Sequence, residues 1–346
     1  MKSQEKMKAA IFHSPRNVTT ETVKKPVIGP SDILIKVSSC CICGSDLHMY
    51  KLGLFADHIC RVSEAGRIPG HEYSGVVVEV GSEVKDIDVG DRVVAYTSGG
   101  MAEYVPVSPA LSGMNVYKIP DEISDKEAAT LEPLANSVHA VYKGIPVKGE
   151  NAVVFGVGII GLGVIQVLKA LNFGLNKIIA VDVSDKRLEM AQRSGADALI
   201  NAGRDDLFSK TMELLGGEEL LIMPNMEFPK ADIVYDCVGY IQDRPEPPVL
   251  KQAILLARPL KGRIVAHGIF EAPLTLDFSI LVAKQVQIIG SYGGWPEDSI
   301  KAIELMRAKR VDREGLISHE FPLDQAAEAF ETSCTVENSI KVVINP

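Results

Sequence analysis

Short apolar segments rich in β-branched residues and separated by proline and glycine dominate the first third of the chain. They lie at residues 9–12, 33–37, 76–80 and 92–95 and predict β-strands. Residues 125–142 show a helical pattern, whereas residues 50–70 have little periodicity and are interpreted as a loop over a site. The first third therefore predicts a mainly β domain.

From about residue 149 the pattern changes to alternating strands and helices. Strands are predicted at 152–155, 177–182, 198–200, 233–237, 263–266 and 286–289, and helices at 159–171, 186–193, 205–215 and 248–257. Such alternation predicts a parallel sheet with helices on both faces, and six strands fit a doubly wound dinucleotide fold. Helices at 299–308 and 323–332 and a strand at 341–344 follow.

The predicted architecture is therefore α/β with two domains. Residues 1–148 and 290–346 form a β domain made from both chain ends, and residues 149–289 form the doubly wound domain. A length of 346 residues suits two cores of this size. Residues 1–6 are interpreted as a loose tail or an upstream start.

Composition narrows the possible partners and the compartment. A formal net charge of -9 disfavours a nucleic-acid or anionic-membrane partner. No run of about 18 apolar residues predicts a membrane span. Six cysteines, three of them at Cys40, Cys41 and Cys43, favour reduced thiols in the cytoplasm over a disulfide framework.

A glycine motif follows the strand at 152–155 and precedes a helix. In it Gly156 allows a tight turn, Gly158 lets a pyrophosphate approach the backbone, and Gly161 lets the helix pack closely on the strand. Asp182 ends the next strand, where a carboxylate can bind the adenosine ribose or, alternatively, cap the following helix. The expected cofactor contacts are Gly156, Gly158, Ile159, Ile160, Gly161, Asp182, Arg187 and Val238. Asp182 favours NAD over NADP, although Lys186 and Arg187 weaken that preference.

The segments at 43–48 and 70–72 contain cysteine, histidine and glutamate side chains that suit a catalytic zinc ion. Such a site uses three protein ligands and leaves one position open. Cys43 and His71 supply two ligands, and either Glu72 or Glu132 could supply the third.

These residues carry a family resemblance. The sequence resembles the zinc-containing medium-chain alcohol dehydrogenases, and within them the sorbitol, threonine and related polyol dehydrogenases. The resembling segments are 43–48, 70–72, 90–93, 102–105, 132–134 and 156–161, and the similarity runs from Met7 to the C-terminus. It implies a GroES-like catalytic domain, a Rossmann domain, and a cleft that holds zinc and nicotinamide.

The resemblance also implies roles for individual residues. Cys43 and His71 match zinc ligands, and Glu72 matches a ligand of the sorbitol type. Glu132 stands where alcohol dehydrogenases place a cysteine ligand, which favours polyol substrates. Ser45 matches the hydroxyl that accepts the alcohol proton, and His48 matches a relay toward solvent. His139 has no matching role and is interpreted as a core histidine.

One departure from the family is large. Most zinc relatives carry four closely spaced cysteines after the strand at 92–95, where they bind a structural zinc ion, but residues 95–104 contain none here. We therefore expect one zinc ion per chain. A homo-oligomer, either a dimer or a tetramer, is expected from the resemblance.

The predicted function is zinc-dependent hydride transfer between NAD and a secondary alcohol or ketone of a small polyol. An amino alcohol of the threonine type and a cyclic polyol resembling inositol are alternatives. A zinc-free reductase and a non-catalytic NAD-binding sensor on the same fold are further alternatives, which the retained ligand and relay residues oppose. Arg61 and Arg67 could bind a substrate phosphate or simply face water.

Overall fold

A computed structural model describes residues 5–220, 225–242, 247–335, 337 and 339–346. The first four residues of the predicted tail lie outside this range. The described chain divides into two compact units, one of Met1–Pro133 with Ser299–Pro346 and one of Leu134–Asp298. The sequence-based domain boundaries at 148 and 290 stay a prediction. No helix in the described ranges is long and apolar enough to cross a membrane.

The strands and helices are numbered along the chain. The strands are β1 Lys6–Ser14, β2 Asn17–Lys24, β3 Ile33–Cys41, β4 Arg61–Ser63, β5 Gly66–Ile68, β6 Glu72–Val80, β7 Arg92–Ala95, β8 Tyr104–Val107, β9 Val116–Lys118, β10 Asn151–Phe155, β11 Lys177–Asp182, β12 Ala198–Asn201, β13 Gly217–Glu219, β14 Glu227–Pro229, β15 Ile233–Asp236, β16 Gly239–Tyr240, β17 Arg263–Ala266, β18 Ile269–Phe270, β19 Gln287–Gly290, β20 Ile317–Pro322 and β21 Lys341–Asn345. The α-helices are α1 Gly44–Leu52, α2 Ala56–Ile59, α3 Asp125–Ala129, α4 Leu131–Gly144, α5 Ile159–Leu171, α6 Asp185–Arg193, α7 Leu207–Leu215, α8 Val249–Leu256, α9 Phe278–Lys284, α10 Pro296–Arg307 and α11 Ala326–Ser333.

The first unit is built on a seven-stranded sheet in the order β20-β21-β3-β6-β7-β9, with β8 paired to β3. The last strand of the chain, β21, pairs antiparallel with β3 and therefore joins the two ends of the chain in one sheet. A four-stranded sheet in the order β2-β1-β5-β4 completes the unit. Alternating residues of β3 and β6 bury Ile33, Ile35, Val37 and Val77 in the core of this unit.

The second unit contains a six-stranded sheet in the order β12-β11-β10-β15-β17-β19. Every pair in this sheet is parallel. Counted along the chain, the strand order is 3-2-1-4-5-6, which is that of a Rossmann sheet. The sequence analysis predicted this fold class and the bounds of β7, β11, β17 and α5, and the structure confirms them.

Two sequence-based predictions are wrong. The segment at 50–70, interpreted as a loop, contains the helix α2 and a hairpin of β4 and β5, in which Arg61 lies opposite Ile68. The single helix predicted at 125–142 is divided into α3 and α4 at Thr130, whose hydroxyl donates a hydrogen bond to Glu127 O (2.8 Å).

Candidate metal centre and cofactor site

Strand register in the first unit places the predicted metal ligands at one end of the sheet. Cys41, the last residue of β3, lies opposite Glu72, the first residue of β6, and also opposite Val343 of β21. Cys43 follows β3 after one residue, and His71 immediately precedes β6. Residues that are distant in the sequence therefore meet because three strands end at the same place.

Cys43, His71 and Glu72 converge on one point. One possible ligand atom from each of these side chains lies within 4.8 Å of the other two, and Glu72 is fully buried. His71 Nδ1 and Glu72 Oε1 are buried and have no hydrogen-bond partner among the described residues. Buried polar atoms that lack partners are costly, so this donor set fits a bound metal ion.

The electrostatics of this site favour a cation. Burial raises the pKa of the Cys43 thiol, and the Glu72 carboxylate raises it further. Burial lowers the pKa of His71, but Asp46 and the Cys43 group outweigh that effect, and the pKa lies well above its usual range. These shifts report an excess of negative charge around His71.

Asp46 is a buried carboxylate that the sequence analysis did not single out. Its Oδ2 accepts a hydrogen bond from Cys43 N (2.9 Å), and its Oδ1 lies 3.9 Å from His71 Nδ1. Burial raises the pKa of Asp46. Asp46 therefore places a buried negative charge beside His71. The spacing of Asp46 from Cys43, typical of a helix-capping residue, was a usable signal.

Two buried cations lie on the other side of Glu72. Lys341 Nζ pairs with Glu72 Oε2 and donates a hydrogen bond to Ile42 O (2.9 Å). Arg313, also fully buried, donates from Nε to Thr130 Oγ1 (3.3 Å), and Glu72 raises its pKa against the larger effect of burial. The sequence analysis missed both residues.

The predicted relay residues lie on α1, which begins directly after Cys43. Ser45 Oγ lies 3.5 Å from His71 Nε2. His48 is one turn further along the same helix face, where its ring meets the edge of Phe55 at a centroid distance of 6.4 Å. Glu132, at the start of α4, lies close enough to His71 for its charge to raise the pKa of the ring.

In the second unit, the glycine motif forms the predicted turn between β10 and α5. Gly156 has a φ of 77°, and a Cβ there would lie 2.3 Å from Val238 Cγ2. A Cβ on Gly161 would lie 2.1 Å from Gly156 O, so both positions require glycine. At Gly158 the nearest atom to such a Cβ is Arg187 Nη1 at 3.7 Å, which leaves room for a ligand against the backbone.

The carboxylate of Asp182 accepts hydrogen bonds from the backbone of the glycine turn and of the segment before α6. Its Oδ2 accepts a hydrogen bond from Val157 N (2.8 Å), and its Oδ1 accepts hydrogen bonds from Val183 N (2.8 Å) and Ser184 N (3.0 Å). Asp182 is 8% exposed. The cap of α6 is instead the Ser184 hydroxyl, which accepts a hydrogen bond from Arg187 N (3.4 Å).

A cavity of about 190 Å³ opens beside this turn. Three of the predicted cofactor residues line it, namely Gly156, Asp182 and Val238. The other predicted contacts, Gly158, Ile159, Ile160, Gly161 and Arg187, do not line it. Tyr240 of β16, Pro248 before α8 and Gln252 of α8 also line the cavity and were not predicted, because no sequence motif marks them.

His139 is paired within the second unit. Its Nδ1 lies 2.8 Å from Asp298 Oδ2, and its ring stacks on Trp295 at a centroid distance of 6.1 Å. This environment agrees with the interpretation of a core histidine. Cys40 and Cys41 are fully buried, as expected of packing residues.

Two family models match the chain. One, described as zinc-binding dehydrogenase, matches residues 160–308, and the other, described as alcohol dehydrogenase GroES-like domain, matches residues 29–121. L-idonate 5-dehydrogenase of Vitis vinifera is 30% identical, over 92% of this chain and 89% of its own. (R,R)-butanediol dehydrogenase of Bacillus subtilis is 30% identical over 98% of this chain and 100% of its own.

Solved structures agree with these sequence matches. The crystal structure of 2R,3R-butanediol dehydrogenase from Bacillus subtilis superimposes with a TM-score of 0.82 at 29% identity, covering 98% of this chain and 99% of that one. An alcohol dehydrogenase from E. coli CFT073, solved with NADH, superimposes with a TM-score of 0.81 at 25% identity and covers 99% of both chains.

Proposed function

Because the chain belongs to the zinc-binding medium-chain alcohol dehydrogenases, we propose that it transfers a hydride between NAD and a secondary alcohol or ketone of a small polyol. The observation that carries this proposal is the convergence of Cys43, His71 and Glu72 at the end of the catalytic sheet. The rival assignments of a zinc-free reductase and a non-catalytic NAD sensor do not account for that donor set.

We assign zinc binding to Cys43, His71 and Glu72. When bound, zinc acts as a Lewis acid toward the substrate oxygen and lowers its proton affinity. Lys341 occupies Oε2 of Glu72 and leaves Oε1 for the metal. Zinc content measured by mass spectrometry tests the assignment: Glu72→Gln should lose zinc, whereas Glu132→Gln should keep it. The opposite result would make Glu132 the third ligand.

The residues of α1 supply the route for the substrate proton. Ser45 Oγ lies beside His71 and can accept the proton, and His48, three residues further on, is placed to pass it outward. Ser45→Ala should lower kcat and leave zinc content unchanged. A Ser45→Ala enzyme with normal kcat would exclude this route.

We propose NAD rather than NADP as the cofactor. Asp182 lines the cavity beside the glycine turn, and its carboxylate would repel the 2′-phosphate of NADP. The adenosine end of the cofactor suits this cavity, and the helix N-terminus at Ile159 suits the pyrophosphate. Fluorescence titration with NADH and NADPH should show a clear preference for NADH, and equal binding of the two would contradict the proposal.

A polyol is the substrate class that we favour. Glu132 stands where simple alcohol dehydrogenases have a cysteine, and relatives are named for idonate and for 2R,3R-butanediol, which both carry hydroxyls on adjacent carbons. An absorbance screen for NADH formation with polyols, inositols and threonine, with zinc measured on the same sample, tests this choice. Turnover of threonine or an inositol alone would select those alternatives.

We also propose one zinc ion per chain and a homo-oligomer. Edge strand β19 and helix α9 of the second unit expose Ile288, Phe278 and Val282, which a second copy of the chain could cover. Light scattering of Val282→Glu against the native chain tests this surface, and an unchanged oligomer would exclude it.

A further inference from the structure

Arg61 carries a guanidinium group that no acidic side chain balances in the described part of the chain. It is the first residue of β4, and its Nε and Nη2 atoms are buried without a hydrogen-bond partner among those residues. Burial lowers the pKa of Arg61, and among the described residues only the phenol of Tyr73 opposes this effect. Such an arrangement is costly, because a buried charge is ordinarily paired.

The neighbouring arginine of the same hairpin behaves differently. Arg67 lies on β5, its side chain is 40% exposed, and its Nε donates a hydrogen bond to Asp57 Oδ1 (2.9 Å). Arg67 therefore pairs with an acidic side chain at the surface. The guanidinium of Arg61 is partly buried and has no acidic partner among the described residues.

Arg61 lies close to the backbone that precedes the proposed metal ligand His71. A Cβ added to Gly99 would lie 2.7 Å from Arg61 Nε, so the guanidinium lies directly against the Gly99 backbone. Gly99 N donates a hydrogen bond to Gly70 O (2.9 Å), and Gly70 immediately precedes His71. Together these contacts and bond lengths place Arg61 Nε within roughly 11 Å of His71 N.

We propose that Arg61 binds an anionic group, a carboxylate or a phosphate, at the end of the substrate away from the reacting carbon. The proposal rests on the proposed polyol dehydrogenase function and narrows its substrate to an acidic polyol. A guanidinium has parallel N–H donors that match the oxygens of a carboxylate or a phosphate. A bound anion would supply the negative charge that Arg61 lacks among the described residues.

The test compares each neutral polyol of the screen with its terminal acid and its terminal phosphate, in the zinc-loaded enzyme with NAD. One of the two anionic forms should have a kcat/KM about 10- to 100-fold above that of the neutral polyol. The acid and phosphate arms identify which anion is the natural one. Arg61→Gln should abolish the preference through KM, Arg61→Lys should keep part of it, and the matched control Arg67→Gln should keep all of it.

A second measurement does not need turnover. Arg61→Met removes an unpaired buried charge and should raise the melting temperature of the substrate-free protein, whereas loss of a structural arginine would lower it. Equal use of neutral and anionic polyols, a preference that survives Arg61→Gln, or a lower melting temperature in Arg61→Met would overturn the proposal. If no polyol is oxidised, the proposed function fails, and the melting temperature still decides the role of Arg61.

Discussion

Removing one partner of the ion pair between Lys341 and Glu72 should destabilise the catalytic unit. Both side chains are almost completely buried, at 1% and 0% exposure. The substitution Lys341→Met keeps the apolar volume but leaves the Glu72 carboxylate without its nearest cation. Breaking a buried pair by removing one partner costs about 3–5 kcal/mol of unfolding free energy.

Two neighbouring interactions change the expected loss of unfolding free energy. Loss of the hydrogen bond from Lys341 to Ile42 O adds about 1 kcal/mol. Arg313 remains near Glu72 and offsets part of the loss, so we expect about 3 kcal/mol in the metal-free protein. A divalent cation at Glu72 supplies positive charge as well, and the loss should therefore be smaller in the zinc-loaded protein.

Amide hydrogen exchange of the peptides that contain β3 and β21 measures this change within the catalytic unit. The single tryptophan, Trp295, belongs to the other unit, and its fluorescence in urea provides an internal control that should not change. The matched control Lys8→Met removes a solvent-exposed pair with Asp324 and should leave stability nearly unchanged.

A double-mutant cycle completes the test. Glu72→Gln combined with Lys341→Met removes both charges of the pair and should be more stable than the sum of the two single losses predicts. A loss below about 1 kcal/mol in Lys341→Met, or strict additivity in the double variant, would refute the reasoning.

Four further predictions concern the metal, the cofactor and pH. Cys43→Ser should remove zinc and turnover together, and an active, metal-free Cys43→Ser protein would refute the zinc site. Asp182→Ser should weaken NADH binding and reduce the discrimination against NADPH, and an unchanged NADH/NADPH ratio would exclude Asp182 as the discriminating residue. Gly161→Ala should destabilise the second unit by more than about 1 kcal/mol in urea unfolding, because the added Cβ meets Gly156 O, and no change would contradict that contact. Burial raises the pKa of Asp236 to about 6, so the native state binds the proton more tightly than the unfolded state, and stability should fall by about 2 kcal/mol as pH rises from 4 to 6. Asp236→Asn should lose this dependence in urea titrations followed by Trp295 fluorescence, and an equal slope in both proteins would assign it to another group.

The elements that the sequence predicted well are those whose burial leaves a local pattern. Strands β11 and β17 are buried within a parallel sheet and appear as continuous apolar runs, and α5 starts at a glycine turn. The hairpin of β4 and β5 escaped prediction because its strands have three residues each and mostly half-buried side chains. Too few positions alternate there for a period of two to be visible.

In the candidate metal site, too, the residues with a local sequence motif were predicted and those without one were missed. Cys43, His71 and Glu72 were found because each lies in a short local motif. Lys341 and Arg313 lie in no such motif. Their role follows from their interaction with Glu72, and the pairing of β3 with β6 and β21 is not visible in the sequence. A lysine at the first position of an apolar strand is ordinarily interpreted as an exposed strand end.

The catalytic unit contains two kinds of buried cation, those that interact with a carboxylate of the chain and one that does not. Lys341 pairs with Glu72, a carboxylate supplied by the chain itself, so folding alone compensates for its burial. Arg313 has no hydrogen-bond partner for Nη1 and Nη2 among the described residues, but the charge of Glu72 raises its pKa. Arg61 meets none among the described residues, although it lies against the backbone that leads to His71. The sequence indicated Arg61 as a possible phosphate ligand and gave no signal for Lys341 or Arg313. Burial and charged partners are what separate a charge that stabilises the fold from one that is available to a ligand. Among the described residues, a carboxylate raises the pKa of Lys341 and of Arg313, whereas none does so for Arg61. Arg61 is therefore the position at which the protein can distinguish a charged substrate from a neutral one.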